Sequence, residues 1–266
     1  MSRIGFVGAG RMGAPMVRRL VDAGHDVRAL GRSVEKRRAV SGLGAQPVTD
    51  LADVGTDADV VVVCVFTDEQ VQQVCLHSVL LSTMQPGAVL AIHTTGSPRT
   101  AEAVAAHAVE YGVDVIDAPV SGGPHDISAG RVTLFVGGAD ATVERIRPVL
   151  ASYGEPILHV GPLGAGQGVK LVNNTLFAAH IGLLREAVRL GDRLNVDEPR
   201  LLEAIGHGSA ASRVASIVGA RGSVDAFIEM VGEFVGKDVA VARKTAAELG
   251  SDLGLLDAVI NAGCRP

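Results

Sequence analysis

The sequence contains no tryptophan, only two tyrosines and six phenylalanines. Any pocket in this chain is therefore lined mainly by aliphatic side chains and backbone. Cysteine is as scarce. Cys64, Cys75 and Cys264 are odd in number and widely spaced, with no CxxC and no paired Cys/His cluster, which argues against a disulfide framework or a zinc site. The eight histidines show no metal-ligand spacing, so no metal is expected. There is no basic block, and the net charge is -5, which argues against nucleic acid or an anionic membrane surface as a partner. Long apolar runs are missing too: the longest, Val60 to Phe66, falls far short of the ~18 residues of a membrane span. An apparent strand begins at Ile4, leaving no room for a signal peptide before it, so a cytoplasmic location is expected.

Glycine is what the chain has in excess. There are 33 glycines in 266 residues, well above the usual roughly 7%. Hydrophobic residues make up 47% and charged residues 20%, a globular balance with enough length for one large domain or two modest ones.

Up to about residue 160, short apolar runs alternate with helical patterns. Strands are predicted at Ile4–Val7, Val27–Leu30, Val60–Phe66, Ala88–His93, Val113–Asp117, Val132–Val136 and Ile157–Val160. Such alternation predicts an α/β domain, a Rossmann-type doubly wound and mostly parallel sheet with helices on both faces. The run Val132–Val136 follows a glycine-rich loop and could pair antiparallel at an edge instead. After Gly161-Pro162 the strand signals stop. Helices are predicted at Gln167–Asn195, Glu198–Ile205, Ala210–Gly219, Val224–Val231, Lys237–Leu249 and Leu253–Ala262. The expected division is residues 1–162 for nucleotide binding and 163–266 as an all-α domain for substrate binding and dimerisation.

The stretch GFVGAGRMG places Gly8, Gly10 and Gly13 in a GxGxxG pattern between a strand and a helix. Gly8 suits the tight turn, Gly10 the close approach of a pyrophosphate, and Gly13 the packing of helix on strand. With Arg11 and Met12 these form the expected cofactor turn, whose helix N-terminus faces the phosphates. The next strand ends in Gly31-Arg32-Ser33. An NAD site usually carries Asp or Glu here for the ribose 2′-hydroxyl. Its absence, with Arg32 and Ser33 following, points to the 2′-phosphate of NADP rather than to NAD. Lys36 and Arg37 add to the local positive potential. Thr67 and Asp68 end one later strand; Thr94, Thr95 and Gly96 end another. Thr67 and Thr95 are candidates to line the cofactor channel, but residues at such positions equally suit helix caps: Thr67 or Asp68 before EQVQQV, Ser97 before the Pro98 helix.

In DAPVSGGPHD, residues 117 to 126, Ser121 offers a hydroxyl, while Gly122 and Gly123 expose backbone N–H groups. This is a plausible cradle for a small carboxylate. In GAGQGVKLVNN, Gly164 to Asn174, an ammonium and two amides open an otherwise apolar helix. Lys170 and Asn174 are i, i+4 and share a helix face.

GFVGAGRMGAPM, DAPVSGG, GAGQGVKLVNN and KDVAVARKTA, in this order, resemble the four signature segments of the β-hydroxyacid dehydrogenase family, which includes 3-hydroxyisobutyrate dehydrogenase and tartronate semialdehyde reductase. The resemblance runs from residue 3 to about 260. It implies a Rossmann domain, a helical C-terminal domain and transfer of a hydride between nicotinamide and a small 3-hydroxy acid, its semialdehyde or a 2-hydroxy-3-oxo acid. It implies that Ser121, Gly122 and Gly123 bind the substrate carboxylate, Lys170 is the acid/base, and Asn174 positions the reacting oxygen. Lys237 would lie near nicotinamide and substrate, with Asp238 supporting it. An ammonium at Lys170 would stabilise charge on a carbonyl oxygen and deliver a proton. Partial burial and a nearby Lys237 would lower its pKa. Asn173 is expected to make a structural hydrogen bond.

The pattern is broken in one place. The family usually follows SGG with two variable residues and then Gly-Ala, where this chain has Pro124-His125-Asp126-Ile127. His125 either touches substrate or lies exposed. No basic cluster suits a sugar phosphate, so 6-phosphogluconate is a poor substrate candidate. Two other functions stay in view: imine reduction, whose enzymes generally replace the lysine retained here, and a non-catalytic NADPH sensor, which would need none of Ser121, Lys170, Asn174 and Lys237 together. The long helix carries apolar residues around much of its circumference, so a homodimer through the C-terminal domain is expected.

Overall fold

The computed structural model describes residues 1–264; the Cys264 thiol expected in the tail lies outside the described side chains. Nine strands and eight helices come first: β1 (Arg3–Val7), α1 (Gly13–Asp22), β2 (Asp26–Leu30), α2 (Val34–Gly42), β3 (Gln46–Val48), α3 (Leu51–Gly55), β4 (Val60–Val63), α4 (Asp68–Cys75), α5 (Leu80–Thr83), β5 (Val89–Ile92), α6 (Pro98–Ala108), β6 (Asp114–Asp117), β7 (Val120–Ser121), α7 (Pro124–Ser128), β8 (Val132–Gly137), α8 (Asp140–Leu150) and β9 (Gly154–Gly161). Helices α9 (Ala165–Arg193), α10 (Glu198–His207), α11 (Arg213–Gly219), α12 (Val224–Glu248) and α13 (Leu255–Cys264) follow. The chain forms two compact units, Met1–Lys170 and Leu171–Pro266, so the first turns of α9 belong to one and its remainder to the other. The boundary drawn from sequence at residue 162 falls in the loop before α9.

In the N-terminal unit, β3-β2-β1-β4-β5-β6 lie side by side and parallel. The interior strands are almost wholly apolar because helices cover both faces. One core layer, around Phe6, Met16, Val62, Ile116 and Leu134, lies on one side. The other, around Val61, Val63, Leu80, Leu90 and Val104, lies opposite. β8 runs antiparallel to β6 and β7, the alternative the glycine-rich loop had left open. It is not an edge, because β9 pairs with it in parallel.

Two expectations are corrected, and two short strands are added. The strand expected over Val60–Phe66 ends at Val63, and the backbone of Val65 instead exchanges two 3.0 Å hydrogen bonds with the Thr94 hydroxyl. The short strands β3 and β7 gave no apolar run long enough to detect. The helices expected at Val224–Val231 and Lys237–Leu249 are one 25-residue helix. Gly232 and Gly236 lie between the two expected segments, and a helical glycine costs only about 1 kcal/mol. Burial of Val224, Phe227, Val239 and Ala242 along the same helix outweighs that.

The C-terminal unit is all helical. Ile181 and Leu184 of α9 pack with Leu202, Val214, Val218 and Phe227. A second cluster joins Ala178 and Ala179 to Val239 and Ile260.

Candidate active site

After β1 the backbone turns through Gly8 at φ 100°, and a Cβ there would collide with the Cys64 carbonyl. A Cβ on Gly13 would strike the Gly8 carbonyl, whereas nothing lies within 4 Å of one placed on Gly10. The turn is thus closed beneath and open above. No side chain caps α1 and its first turn holds no acid. An opening beside an uncapped helix N-terminus fits the pyrophosphate of a dinucleotide. Arg11 is exposed and Met12 half-buried at this turn.

At the end of β2 a Cβ on Gly31 would come within 3.0 Å of the Arg37 backbone, so α2 excludes an acidic side chain there by packing. Arg32 is exposed and makes no ion pair among the described residues. Ser33 caps α2 by accepting the Lys36 N–H at 3.2 Å, and its hydroxyl hydrogen-bonds the Glu35 carboxylate, which holds that carboxyl below its ordinary range. The Thr67 side chain is a cap: it accepts from Gln70 N at 3.3 Å, and the Gln70 side chain accepts from Thr67 N at 3.2 Å. Asp68 instead reaches α6, accepting from Ser97 N at 3.1 Å and the Thr100 hydroxyl at 2.6 Å. Ser97 caps α6. Thr95 is half-buried beyond β5.

Sequence reasoning missed two buried residues that join two of the motifs to each other and to the end of β5. Asp117, at the end of β6, has no exposure. Its carboxylate accepts from Gly164 N at 2.7 Å and from Gln167 N at 2.6 Å, clasping the start of α9. Burial raises the Asp117 carboxyl above its ordinary range, against the opposing pull of these N–H groups. Gln167 is 1% exposed. Its amide donates to Thr94 O at 2.8 Å and accepts from Gly96 N at 2.9 Å. The available signal was a carboxylate and an amide inside apolar motifs, groups that need partners when buried. One turn beyond Gln167 stands Lys170, 8% exposed, at the end of the N-terminal unit.

A buried His93–Tyr153 pair supports the neighbouring DAPV segment. His93 Nδ1 donates to Ala118 O at 2.5 Å, and Nε2 accepts from the Tyr153 hydroxyl at 2.8 Å. Burial pushes the imidazole down to about 4, so it is neutral near pH 7.

Ser121 lies on β7 opposite Thr133. Gly122 adopts φ 136°. The Gly123 N–H, expected to help cradle a carboxylate, already donates to Asp126 Oδ2 at 2.7 Å. His125 is mostly exposed, with Nε2 3.3 Å from Asp126 Oδ1.

In the C-terminal unit Asp238, 7% exposed, ties together the other expected residues. Asn174 Nδ2 donates to Asp238 Oδ2 in a short hydrogen bond. Lys237 Nζ lies 2.7 Å from Asp238 Oδ1, an ion-pair contact not aligned as a hydrogen bond. Asn173 donates to Asn174 Oδ1 at 3.0 Å. The carboxylate only accepts, so it holds the Asn174 amide with its nitrogen toward Asp238 and leaves a second N–H unused by that bond.

Residues 3–161 match the family model of the NAD binding domain of 6-phosphogluconate dehydrogenase. Residues 164–262 match that of the NAD-binding region of NADP-dependent 3-hydroxyisobutyrate dehydrogenase. The chain is 33% identical to the 2-(hydroxymethyl)glutarate dehydrogenase of Eubacterium barkeri, over 92% of this chain and 83% of the relative. A structure of 3-hydroxyisobutyrate dehydrogenase from Mycobacterium tuberculosis with L-serine is 28% identical, with a TM-score of 0.89 over 98% of this chain and 92% of that one. An imine reductase from Streptomyces aurantiacus shares the fold at 18% identity, with a TM-score of 0.66 over 98% of this chain and 93% of its own. No helix among the described residues is long and apolar enough to cross a membrane.

Proposed function

The chain belongs to the β-hydroxyacid dehydrogenase family and is an NAD(P)-dependent hydroxyacid dehydrogenase; within that family we propose an NADP-linked enzyme that interconverts a small 3-hydroxy acid and its semialdehyde, or a 2-hydroxy-3-oxo acid, through Lys170. The observation that carries this reading is Lys170 itself, a buried ammonium one turn beyond a helix start clasped by Asp117 and Gln167. The names of the relatives support the substrate class, since 2-(hydroxymethyl)glutarate, 3-hydroxyisobutyrate and L-serine are all 3-hydroxy acids. A panel of such acids, followed by cofactor absorbance, tests it; turnover of none of them would overturn the proposal.

Gly8, Gly10, Arg11, Met12 and Gly13 would hold the pyrophosphate, Arg32 and Ser33 the 2′-phosphate, and Thr67 and Thr95 the channel toward the nicotinamide. A nicotinamide held there would supply the hydride chemistry at the substrate carbon. Lys170 gives its proton to the oxygen as negative charge builds there, and in the oxidative direction neutral Lys170 removes the hydroxyl proton. Asn174, its amide oriented by Asp238, gives the same oxygen its second N–H. Ser121 and Gly122 receive the carboxylate end, with Gly123 lining the same loop while its N–H is held by Asp126, and with Lys237 near that end as a charge partner. In this reading residues 1–162 serve the cofactor and residues 163–266 serve substrate binding and dimerisation.

Cofactor choice makes one prediction. A charge-assisted hydrogen bond is worth roughly 1.5–3 kcal/mol, which corresponds to roughly 10- to 150-fold at ~1.4 kcal/mol per decade. Wild type should favour NADPH at least ~10-fold in kcat/KM, mostly through KM, because the 2′-phosphate is remote from the hydride. Arg32→Ala should shrink that preference and leave NADH use nearly unchanged. Equal use of both cofactors by wild type, or full preference in the variant, contradicts the assignment.

Assembly makes another. Helix α9 leaves Val169, Leu176, Leu183 and Leu190 exposed at seven-residue intervals, and Val172 is 69% exposed beside them. Such a stripe is one a second copy of the chain would cover. Light scattering should give a dimer at micromolar concentration, and Leu183→Glu with Leu190→Glu should dissociate it. A stable wild-type monomer would exclude this assembly.

A further inference from the structure

We infer that Asp126 is a specificity-determining residue that directs the site to 3-hydroxy acids bearing a hydrogen-bond donor, hydroxyl or ammonium, on carbon 2. This rests on the reading above in one respect only, that the Ser121–Gly123 loop receives the carboxylate end of the substrate. The loop differs from its expected form in two linked ways. The Gly123 N–H is already bonded to Asp126 Oδ2 at 2.7 Å, so one backbone donor is withdrawn from the cradle. The same oxygen lies 2.8 Å from where a Cβ on Gly122 would sit, with Asp126 Cβ at 3.2 Å and Val132 Cγ2 at 3.2 Å. The Asp126 carboxylate therefore occupies the space beside the two glycines, and its side chain is 19% exposed. Where the family usually has glycine, this chain places an acceptor of negative charge against the carboxylate cradle.

The physical consequence has a sign. Bound to Gly123 N–H by one lone pair, the carboxylate retains further acceptor sites. A substrate hydroxyl or ammonium on the carbon adjoining its own carboxylate gains a charge-assisted bond there. A hydrogen or methyl at the same place desolvates Asp126 and returns nothing, which is how a site built for a polar group rejects the analogue lacking it. The substrate carboxylate retains the Ser121 hydroxyl and the Gly122 N–H. His125, exposed and 3.3 Å from the outer oxygen, lies on the solvent side of the same carboxylate.

The test compares glycerate, L-serine and 3-hydroxypropanoate, which share one skeleton and differ at carbon 2, with NADP+ as acceptor. Wild type should show at least ~10-fold higher kcat/KM for glycerate or L-serine than for 3-hydroxypropanoate, the range of one hydrogen bond to a charged group. Asp126→Gly should bring the ratio to within about threefold of unity, chiefly by improving 3-hydroxypropanoate. Asp126→Asn, which keeps the side-chain shape and an oxygen for Gly123, should also lose the ammonium preference. A wild-type preference for 3-hydroxypropanoate, or an unchanged ratio in both variants, overturns the assignment. Should wild type oxidise none of the three, the proposed reaction fails separately. Calorimetric affinities of the same compounds for the NADPH complexes of wild type and Asp126→Gly then decide the role of Asp126 by the same ratio, and absence of binding overturns it.

Discussion

Lys170→Ala is expected to lose at least ~100-fold in turnover, the lower range for a proton-transferring group, while affinity for the reduced cofactor changes little. The expectation follows from position. Lys170 is 8% exposed and stands one turn beyond the helix start that Asp117 and Gln167 hold in place. The proposed assignment places cofactor binding on other residues, Gly8 to Gly13 and Arg32, so a direct titration with NADPH should give nearly the wild-type Kd. Lys170→Met separates chemistry from packing, because it retains most of the aliphatic stem without the charge. It should be as inactive as the alanine variant and as stable as wild type. Turnover near normal in either variant would remove Lys170 from the mechanism.

Asp117→Ala is expected to destabilise the N-terminal unit by about 2–6 kcal/mol, from two orphaned N–H donors at about 1–3 kcal/mol each. Total stabilities of folded domains are typically 5–15 kcal/mol, so this change alone brings the unit near its limit. The donors are Gly164 N and Gln167 N, held at 2.7 and 2.6 Å with no access to water through Asp117. Asp117→Asn preserves the shape and one acceptor but turns an amide N–H toward a backbone N–H, and should fall between wild type and alanine. The chain has no tryptophan, and both tyrosines, Tyr111 and Tyr153, lie before residue 170. Tyrosine fluorescence during urea unfolding therefore reports this unit selectively. Turnover of the asparagine variant should also drop, because Asp117 clasps the start of α9 one turn before Lys170. A midpoint for Asp117→Ala equal to that of wild type would show that water satisfies these donors.

The sequence by itself determined the class of fold, the order of its halves and the chemistry of its turns, because each is written in neighbouring residues. Alternating apolar runs specify covered parallel strands. Gly8 and Gly13 specify a turn with no room for a Cβ, and Gly10 an opening above it. Gly31 followed by Arg32 can be read directly, though the packing of Arg37 against Gly31 cannot. The continuity of α12 between its two expected halves depends on burial of Val224, Phe227, Val239 and Ala242, which the local pattern does not show. Tertiary structure alone decided which polar groups answer one another across the chain. Asp117 finds its partners at residues 164 and 167, and Gln167 finds its own at residues 94 and 96. Asp126 is only three residues from Gly123, yet its rotamer and the packing of Val132 decide that its carboxylate takes the Gly123 N–H. Propensity and periodicity are properties of a segment. Satisfaction of a buried donor or acceptor is a property of the folded whole, since it depends on which distant atom comes within about 3 Å.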